Sequence, residues 1–395
     1  LVHVSGRTIP GQFAGVMGAQ HDPWFIEASQ FRTSSYIHGA FPEYGFHRWD
    51  GPTTPKDYRF EAPRLELHQG MAKDHFRSRV ALLDDLQGQR EQLDRAGSIV
   101  DFDRYRQEAI SMLTGNQVHK ALDIHNVDDK TQERYGRNSF GWSLLMARQL
   151  VQAGVSMVPV NLGNDESWDT HEAAFKNLKN FLLPPTDRAV SAWIEDLDQL
   201  GMLDDTLIVF FNDNGGRKEN PPYRGGKGDT LEGGVRVPCI VRWPGKVPAN
   251  RSIDGMMHVV DLFPTLLKQG QAPLKQKMPL DGMDMWEVIT GDKESLRTEV
   301  VHSLPGEHSD TGVMSIRQGS YKLVGSELFD VDQDPAETRD LAAKHPEIYQ
   351  SLRKRIQELA KERRPPEVHT NITKTITTPL LVFGKEKNAN PPSWL

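Results

Sequence analysis

The period of the apolar positions changes twice along the chain. Val80, Leu82, Leu83, Leu86 and Leu93 fall near helical spacing, and residues 102–113 carry a second amphipathic run. A third helix is predicted over 139–153, with Ser139 as its N-cap and Gly154 as the residue that ends it. After Gly154 the period shortens. Residues 155–162 are a β-rich run, followed by a polar loop containing Trp168, Asp169, Thr170 and His171. A helix over 186–200 comes next, with Ala189, Trp193, Ile194, Leu197 and Leu200 on one stripe and Gly201 as its stop. Residues 206–211 form a near-continuous apolar run of the kind buried on both faces of a sheet, and Asn212-Asp213-Asn214-Gly215-Gly216 follows at once. Strand, helix, strand with short connections is a βαβ unit, which predicts a mostly parallel sheet with helices on both faces.

Further on, residues 223–234 are a glycine-rich loop, 235–243 a strand, and Asp261 can cap a helix through Gly270. Short strand-like runs at 313–317, 321–324 and 327–329 are separated by Gly and Asp turns, and a charged helix covers 346–363. Residues 372–383 offer one more strand. Three segments are therefore expected: an irregular 1–78, an α/β core over 79–297, and a small antiparallel α+β subdomain with a tail over 298–395.

Composition narrows the choices. The 395 residues carry 47 Lys and Arg against 54 Asp and Glu, a formal charge of −7, which gives no basic field for a nucleic acid. A single cysteine excludes an intramolecular disulfide framework and any multi-cysteine zinc site. The apolar runs are far shorter than the ~18 residues a membrane helix needs. The chain starts at Leu1 with neither a charged nor an apolar leader region, which a processed protein or an internal fragment would share.

Ligands of open parallel sheets bind beyond the carboxyl ends of the strands, and two predicted strands end in metal-type residues. Asp169 and His171 follow the first, and Asp213 and Asn214 the second. Carboxylate and amide oxygens suit Ca²⁺ or Mg²⁺, whereas His171 suits Zn²⁺ or general acid work. Either motif alone is equally a turn or a loop cap. The glycine-rich loop adds Arg224, Lys227 and Arg236, cations beside a backbone able to approach a sulfate or phosphate oxygen; alone, it is also an ordinary solvated loop. Cys239, inside an apolar strand, reads as a buried structural thiol, and His258 as a packing or capping residue. Arg353-Lys354-Arg355 reads as a solvated helix face.

These residues carry a resemblance. From Leu203-Asp204-Asp205-Thr206 through Asp213-Asn214-Gly215-Gly216, Arg224-Gly225-Gly226-Lys227-Gly228, Glu232-Gly233-Gly234-Val235-Arg236-Val237-Pro238, Val260-Asp261-Leu262-Phe263-Pro264-Thr265 and Glu327-Leu328-Phe329-Asp330, the chain resembles the arylsulfatase family. The resemblance implies an alkaline-phosphatase-like α/β core with a small C-terminal antiparallel domain, and hydrolysis of sulfate esters with bound Ca²⁺. It implies Asp213 and Asn214 as calcium ligands and Lys227 at the sulfate group; beside these, the strand-end and loop readings offer Asp169 as a further metal ligand and Arg224 as a further substrate contact. It implies His171 as the acid of the leaving alkoxide or as a ligand, a sulfated small molecule or glycan as substrate, and an extracytoplasmic location. Phe102-Asp103-Arg104, Arg134-Tyr135-Gly136, Leu145-Met146-Ala147-Arg148 and Trp168-Asp169-Thr170-His171 resemble instead an uncharacterised family of the same superfamily. The two resemblances meet inside one strand near residues 205–211. The Cys- or Ser-x-Pro-x-Arg motif that yields the sulfatase nucleophile does not occur in the chain. The expectation is a sulfatase-like hydrolase without its N-terminal catalytic portion; the alternatives are a non-catalytic relative or recombined fragment that binds anionic glycans or a partner, and a phosphate-ester hydrolase.

Overall fold

The structure is a computed structural model, and it describes residues 26, 45–47, 51–53, 78, 120–160, 162, 168, 174–212, 214–216, 220–272, 279–303 and 314–362. The helices expected over 80–93 and 102–113 and the strand over 372–383 lie outside the described residues. The chain divides into two compact units, in the main Thr8–Gly201 and Met202–Leu395.

The described elements of the first unit are helices, apart from a short antiparallel pair, β1 (Gly45–His47) and β2 (Gly51–Thr53). Helix α1 (Asp129–Tyr135) starts at Asp128, whose carboxylate accepts from the Thr131 amide, and ends at Gly136 with φ 104°. Helix α2 (Ser139–Gln152) follows. Its cap is Asn138, one residue before the expected Ser139, because the Asn138 amide oxygen takes both the Phe140 and Gly141 N–H groups at 3.0 Å. Residues Ala174–Asn177 run through a π-helical stretch, Leu178–Leu182, into helix α3 (Leu183–Gln199), which starts three residues before the expected Thr186. Tyr135, Phe140, Leu144, Leu145, Leu150, Leu182, Ala189 and Ala192 form the core among these helices. Leu200, expected on the buried stripe, is exposed. Residues 155–160 and 162 join no strand ladder, so the first strand of the expected βαβ unit is not formed among the described residues.

In the second unit, β3 (Ile208–Phe211) pairs antiparallel with β4 (Cys239–Arg242) through Ile208↔Arg242 and Phe211↔Cys239. Every strand pair among the described residues is antiparallel, so the parallel ladder expected here is not among them, although helices and sheets together keep the chain in the α/β class. Phe210 and Phe211 are exposed, against the expectation of a strand covered on both faces. Cys239 is exposed too, a correction to the buried thiol. Between β3 and β4 lies a four-residue turn of helix, α4 (Glu232–Val235). Helix α5 (Leu262–Gln269) is preceded by a capping box. The His258 ring accepts from the Val260 amide while Asp261 Oδ2 takes the His258 N–H at 2.8 Å, so His258 does cap, as expected. Helix α6 (Trp286–Thr290) packs Met285, Val288 and Ile289.

The strand-like runs after residue 313 form an antiparallel sheet, joined by a further strand at its edge. Strands β5 (Glu299–Ser303), β6 (Ser315–Gln318), β7 (Tyr321–Val324) and β8 (Glu327–Asp330) make one sheet in that order, backed by helix α7 (Pro346–Glu362). Period 2 sends Ile316, Leu323 and Leu328, direct neighbours across the sheet, to the α7 face, where they meet Leu352 and Ile356. Arg317, Lys322 and Phe329 are likewise cross-strand neighbours, on the opposite face. Leu231, beside α4, packs against Val324, Phe329 and Val331. Arg355, expected to be solvated, makes a fork to Glu299 at 2.8 and 3.0 Å that ties α7 to the edge strand.

Candidate active site

Two loops of the second unit meet beside α4. One leaves β3 through Asn214, Gly215 and Gly216; the other is the glycine-rich loop carrying Arg224 and Lys227. The Gly215 N–H donates to the Gly234 carbonyl at 3.0 Å, and the Lys227 N–H to the Gly216 carbonyl at 3.0 Å. Asn220 completes the junction: its amide nitrogen donates to Gly216 O at 2.7 Å and Gly225 O at 3.0 Å, and its oxygen accepts from the Gly216 N–H. Glycine is required by contact. A Cβ on Gly215 would lie 1.8 Å from the Gly233 carbonyl oxygen, and one on Gly233 would lie 2.3 Å from that of Gly225.

The structure thus brings two expected site residues, Asn214 and Lys227, onto loops bridged by backbone hydrogen bonds. Asp169, His171 and Asp213 lie outside the described residues. Arg224 is held from both ends. Its carbonyl accepts from the Gly233 N–H at 2.8 Å, and its guanidinium sits 5.7 Å from the centre of the Phe329 ring. Arg236 lies over Tyr223 at 5.0 Å.

Beneath this junction is a cluster that sequence reasoning missed. Glu232 is buried, and its Oε1 lies 2.9 Å from Lys322 Nζ, while Arg317 reaches its Oε2 at 3.3 Å. Lys322, fully buried, also lies 3.0 Å from Glu337 Oε1. Glu337 Oε2 accepts the Glu232 backbone N–H at 2.6 Å. Burial works to raise the Glu232 carboxyl, but Lys322 and Arg317 outweigh it and hold it below the usual range. In Glu337 burial prevails and the carboxyl is raised. His302 faces the same charges; burial, with Lys322 adding to it, pushes its pKa down to about 3. The one signal in the sequence is a lysine between Tyr321 and Leu323 in an apolar strand.

Among the described residues no three His, Cys, Asp or Glu side chains form a group able to hold a metal ion. Asn214 is the only expected ligand described, and Ca²⁺ takes 6–8 oxygens, so the described donor set alone does not fit calcium. Partial desolvation raises the thiol pKa of Cys239, although its side chain is exposed. No helix among the described residues is long and apolar enough to cross a membrane.

Comparison with known proteins divides the chain at the glycine-rich loop. Residues 34–225 match a family of proteins of unknown function, DUF1501, and residues 227–362 match the C-terminal part of N-sulphoglucosamine sulphohydrolase. Mouse (Mus musculus) steryl-sulfatase is 35% identical over 120 residues, covering 27% of this chain and 19% of the relative. Human (Homo sapiens) arylsulfatase A is 32% identical over 181 residues, covering 42% of this chain and 35% of the relative. The chain thus spans well under half the length of these curated relatives. Among solved structures, Ps i-CgsB in complex with k-i-k-neocarrahexaose overlays with a TM-score of 0.44 at 26% identity, covering 51% of this chain and 48% of that one.

Proposed function

We propose, from the premise that this chain is a relative of the sulfatases, that its second unit carries the anion-binding part of a sulfate-ester hydrolase. The observation behind this reading is the Lys227 N–H bound to the Gly216 carbonyl, which holds the backbone of a lysine against the loop of Asn214. An ammonium held there meets a sulfate oxygen as a point charge and stabilises negative charge that grows on the group as the ester bond breaks. Asp213 and Asn214 are our candidates for two oxygen ligands of a divalent ion, with Ca²⁺ the first choice and Mg²⁺ or Zn²⁺ the alternatives. Asp169 is a candidate further ligand, His171 the candidate acid for the departing alkoxide, and Arg224 a second substrate contact. The substrate class is a sulfated small molecule or glycan, and the compartment extracytoplasmic.

The experiment measures calcium binding, nitrophenyl sulfate turnover and inorganic sulfate binding in parallel for the wild type, Lys227→Ala and Asp213→Ala. Saturable calcium binding lost in Asp213→Ala, with sulfate binding lost in Lys227→Ala, supports the site. Turnover retained in Asp213→Ala shows that it is misplaced. A second reading is capture of an anionic glycan without turnover by the same loop cations, Arg224 and Lys227. Sulfate binding without any turnover selects it.

A further inference from the structure

The Glu232–Lys322–Glu337 cluster lies on the sheet face turned away from α7 and is joined through α4 to the loop that carries Lys227. Two routes lead from it to that residue. Glu232 precedes Gly233, whose N–H donates to the Arg224 carbonyl at 2.8 Å, three residues before Lys227. Gly234 accepts from Gly215 at 3.0 Å, and Gly216, next in the chain, accepts the Lys227 N–H. Both routes start at α4. The four-residue α4 is pinned at its backbone by Glu337 and at its side chain by Lys322 and Arg317.

We propose that Glu232, Lys322 and Glu337 are positioning residues that fix the anion-binding loop, so that the C-terminal sheet sets where the Lys227 ammonium stands. The proposal rests on the reading of Lys227 as the sulfate contact. Stability alone accounts poorly for the cluster. Burying an ammonium and two carboxylates often stabilises no better than apolar side chains of the same volume, whereas the contacts here are set by geometry. Glu337 also holds a left-handed backbone, φ 51°, a conformation costly to a residue other than glycine and kept where the surroundings enforce it. With β7 as the base and α4 as the bracket, the loop inherits the rigidity of a packed sheet, which a Gly225-Gly226-Lys227-Gly228 segment lacks by itself.

The test compares the full chain with Lys322→Met, Glu337→Gln, Lys227→Ala and Leu352→Ala. Leu352→Ala lowers the stability of the same sheet from its α7 side, where Leu352 is buried, without touching the cluster. Each protein is assayed for inorganic sulfate binding by calorimetry, for amide exchange over residues 224–227, and for thermal unfolding. The expected result is sulfate binding about tenfold weaker in Lys322→Met and Glu337→Gln, the order of one loosened charge-assisted contact. Faster exchange over 224–227 accompanies it, while Leu352→Ala melts earlier with affinity and exchange unchanged. Should Lys322→Met not fold, Glu337→Gln carries the test, because it keeps the side-chain volume while removing the charge that faces Lys322. Wild-type affinity and exchange in Glu337→Gln overturn the proposal, as does an equal loss of affinity in Leu352→Ala. Sulfate binding that is absent in the wild type, or unaffected by Lys227→Ala, overturns the sulfate reading instead, and loop exchange then still judges the clamp.

Discussion

The Tyr135 phenol donates to Asp196 Oδ2 across 2.8 Å inside the first unit and so fastens the end of α1 to α3. Arg148 of α2 reaches the same oxygen at 3.2 Å, and Arg134 pairs with the other. One carboxylate thus gathers three helices. Tyr135→Phe is expected to cost about 1.5–3 kcal/mol, the range for a hydrogen bond to a charged group. Asp196→Ala, which leaves the half-buried guanidinium of Arg148 and the buried Tyr135 phenol without their carboxylate, is expected to cost about 3–5 kcal/mol. Urea unfolding followed by helical circular dichroism checks both.

The same phenol predicts an alkaline limit. Burial raises its pKa from 10.0 to about 12. A folded-state pKa raised above the unfolded one gives stability that is present below pH 10 and disappears as pH climbs towards 12. The melting temperature should fall across that window by the equivalent of ~2–3 kcal/mol, and Tyr135→Phe should remove that part of the slope.

His302 predicts an acid limit in the second unit. Its Nε2 is buried without a hydrogen-bond partner among the described residues, and its pKa is lowered to about 3. A histidine kept neutral by the fold charges on unfolding, so stability present above the unfolded value of about 6.5 is lost as pH falls towards 3. Glu232, whose carboxyl is also lowered, acts in the same direction below its ordinary range. The difference between the wild type and His302→Leu isolates the histidine: the variant should show a flatter fall in melting temperature between pH 6.5 and 4.5. Equal slopes would show that His302 does not control it.

Asp261 is fully buried and takes a fork from Arg297, with Nε to Oδ2 at 2.7 Å and a second contact to Oδ1, besides the amides of His258 and Met283. Burial would raise this carboxyl, and Arg297 together with those amides holds it low. Arg297→Met is expected to cost about 3–5 kcal/mol. Arg297→Lys keeps the charge but not the fork, and should recover less than half of that loss.

Gly215→Ala tests the loop junction. Its Cβ would meet the Gly233 carbonyl at 1.8 Å, so the two loops must part. A loss of about 1–3 kcal/mol in stability is expected, and sulfate binding should fall with it. Gly245→Ala, with no atom near its Cβ but a φ of 73°, serves as the control for backbone strain alone.

What the sequence reveals depends on whether a residue's partner is encoded nearby. The alternation of Ile316, Leu323 and Leu328 is local, and it forecasts the sheet and the face that α7 covers. The cap at Asn138 was one residue off because Asn138 and Ser139 are both good caps, and only the backbone decides which reaches the Phe140 and Gly141 amides. Apolarity in β3 says nothing about strand direction, so the antiparallel partner β4 was not foreseen. The Asn214 and Lys227 loops are legible as motifs, and the structure bridges them through backbone hydrogen bonds. The cluster beneath them is not legible, since Glu232 and Lys322 stand 90 residues apart and pair only through the fold.

The two faces of the β5–β8 sheet should record mutation differently. On the α7 side, Ile316, Leu323, Leu328 and Ile356 ask only for apolar volume, so leucine, isoleucine and methionine are exchangeable there at modest cost. On the other side, Arg317 and Lys322 answer to carboxylates on two separate stretches of chain, and a single change leaves a stranded charge. Substitutions should accumulate singly on the first face and arrive only as matched pairs on the second. A random library of this unit, selected simply for folding, would display that asymmetry directly.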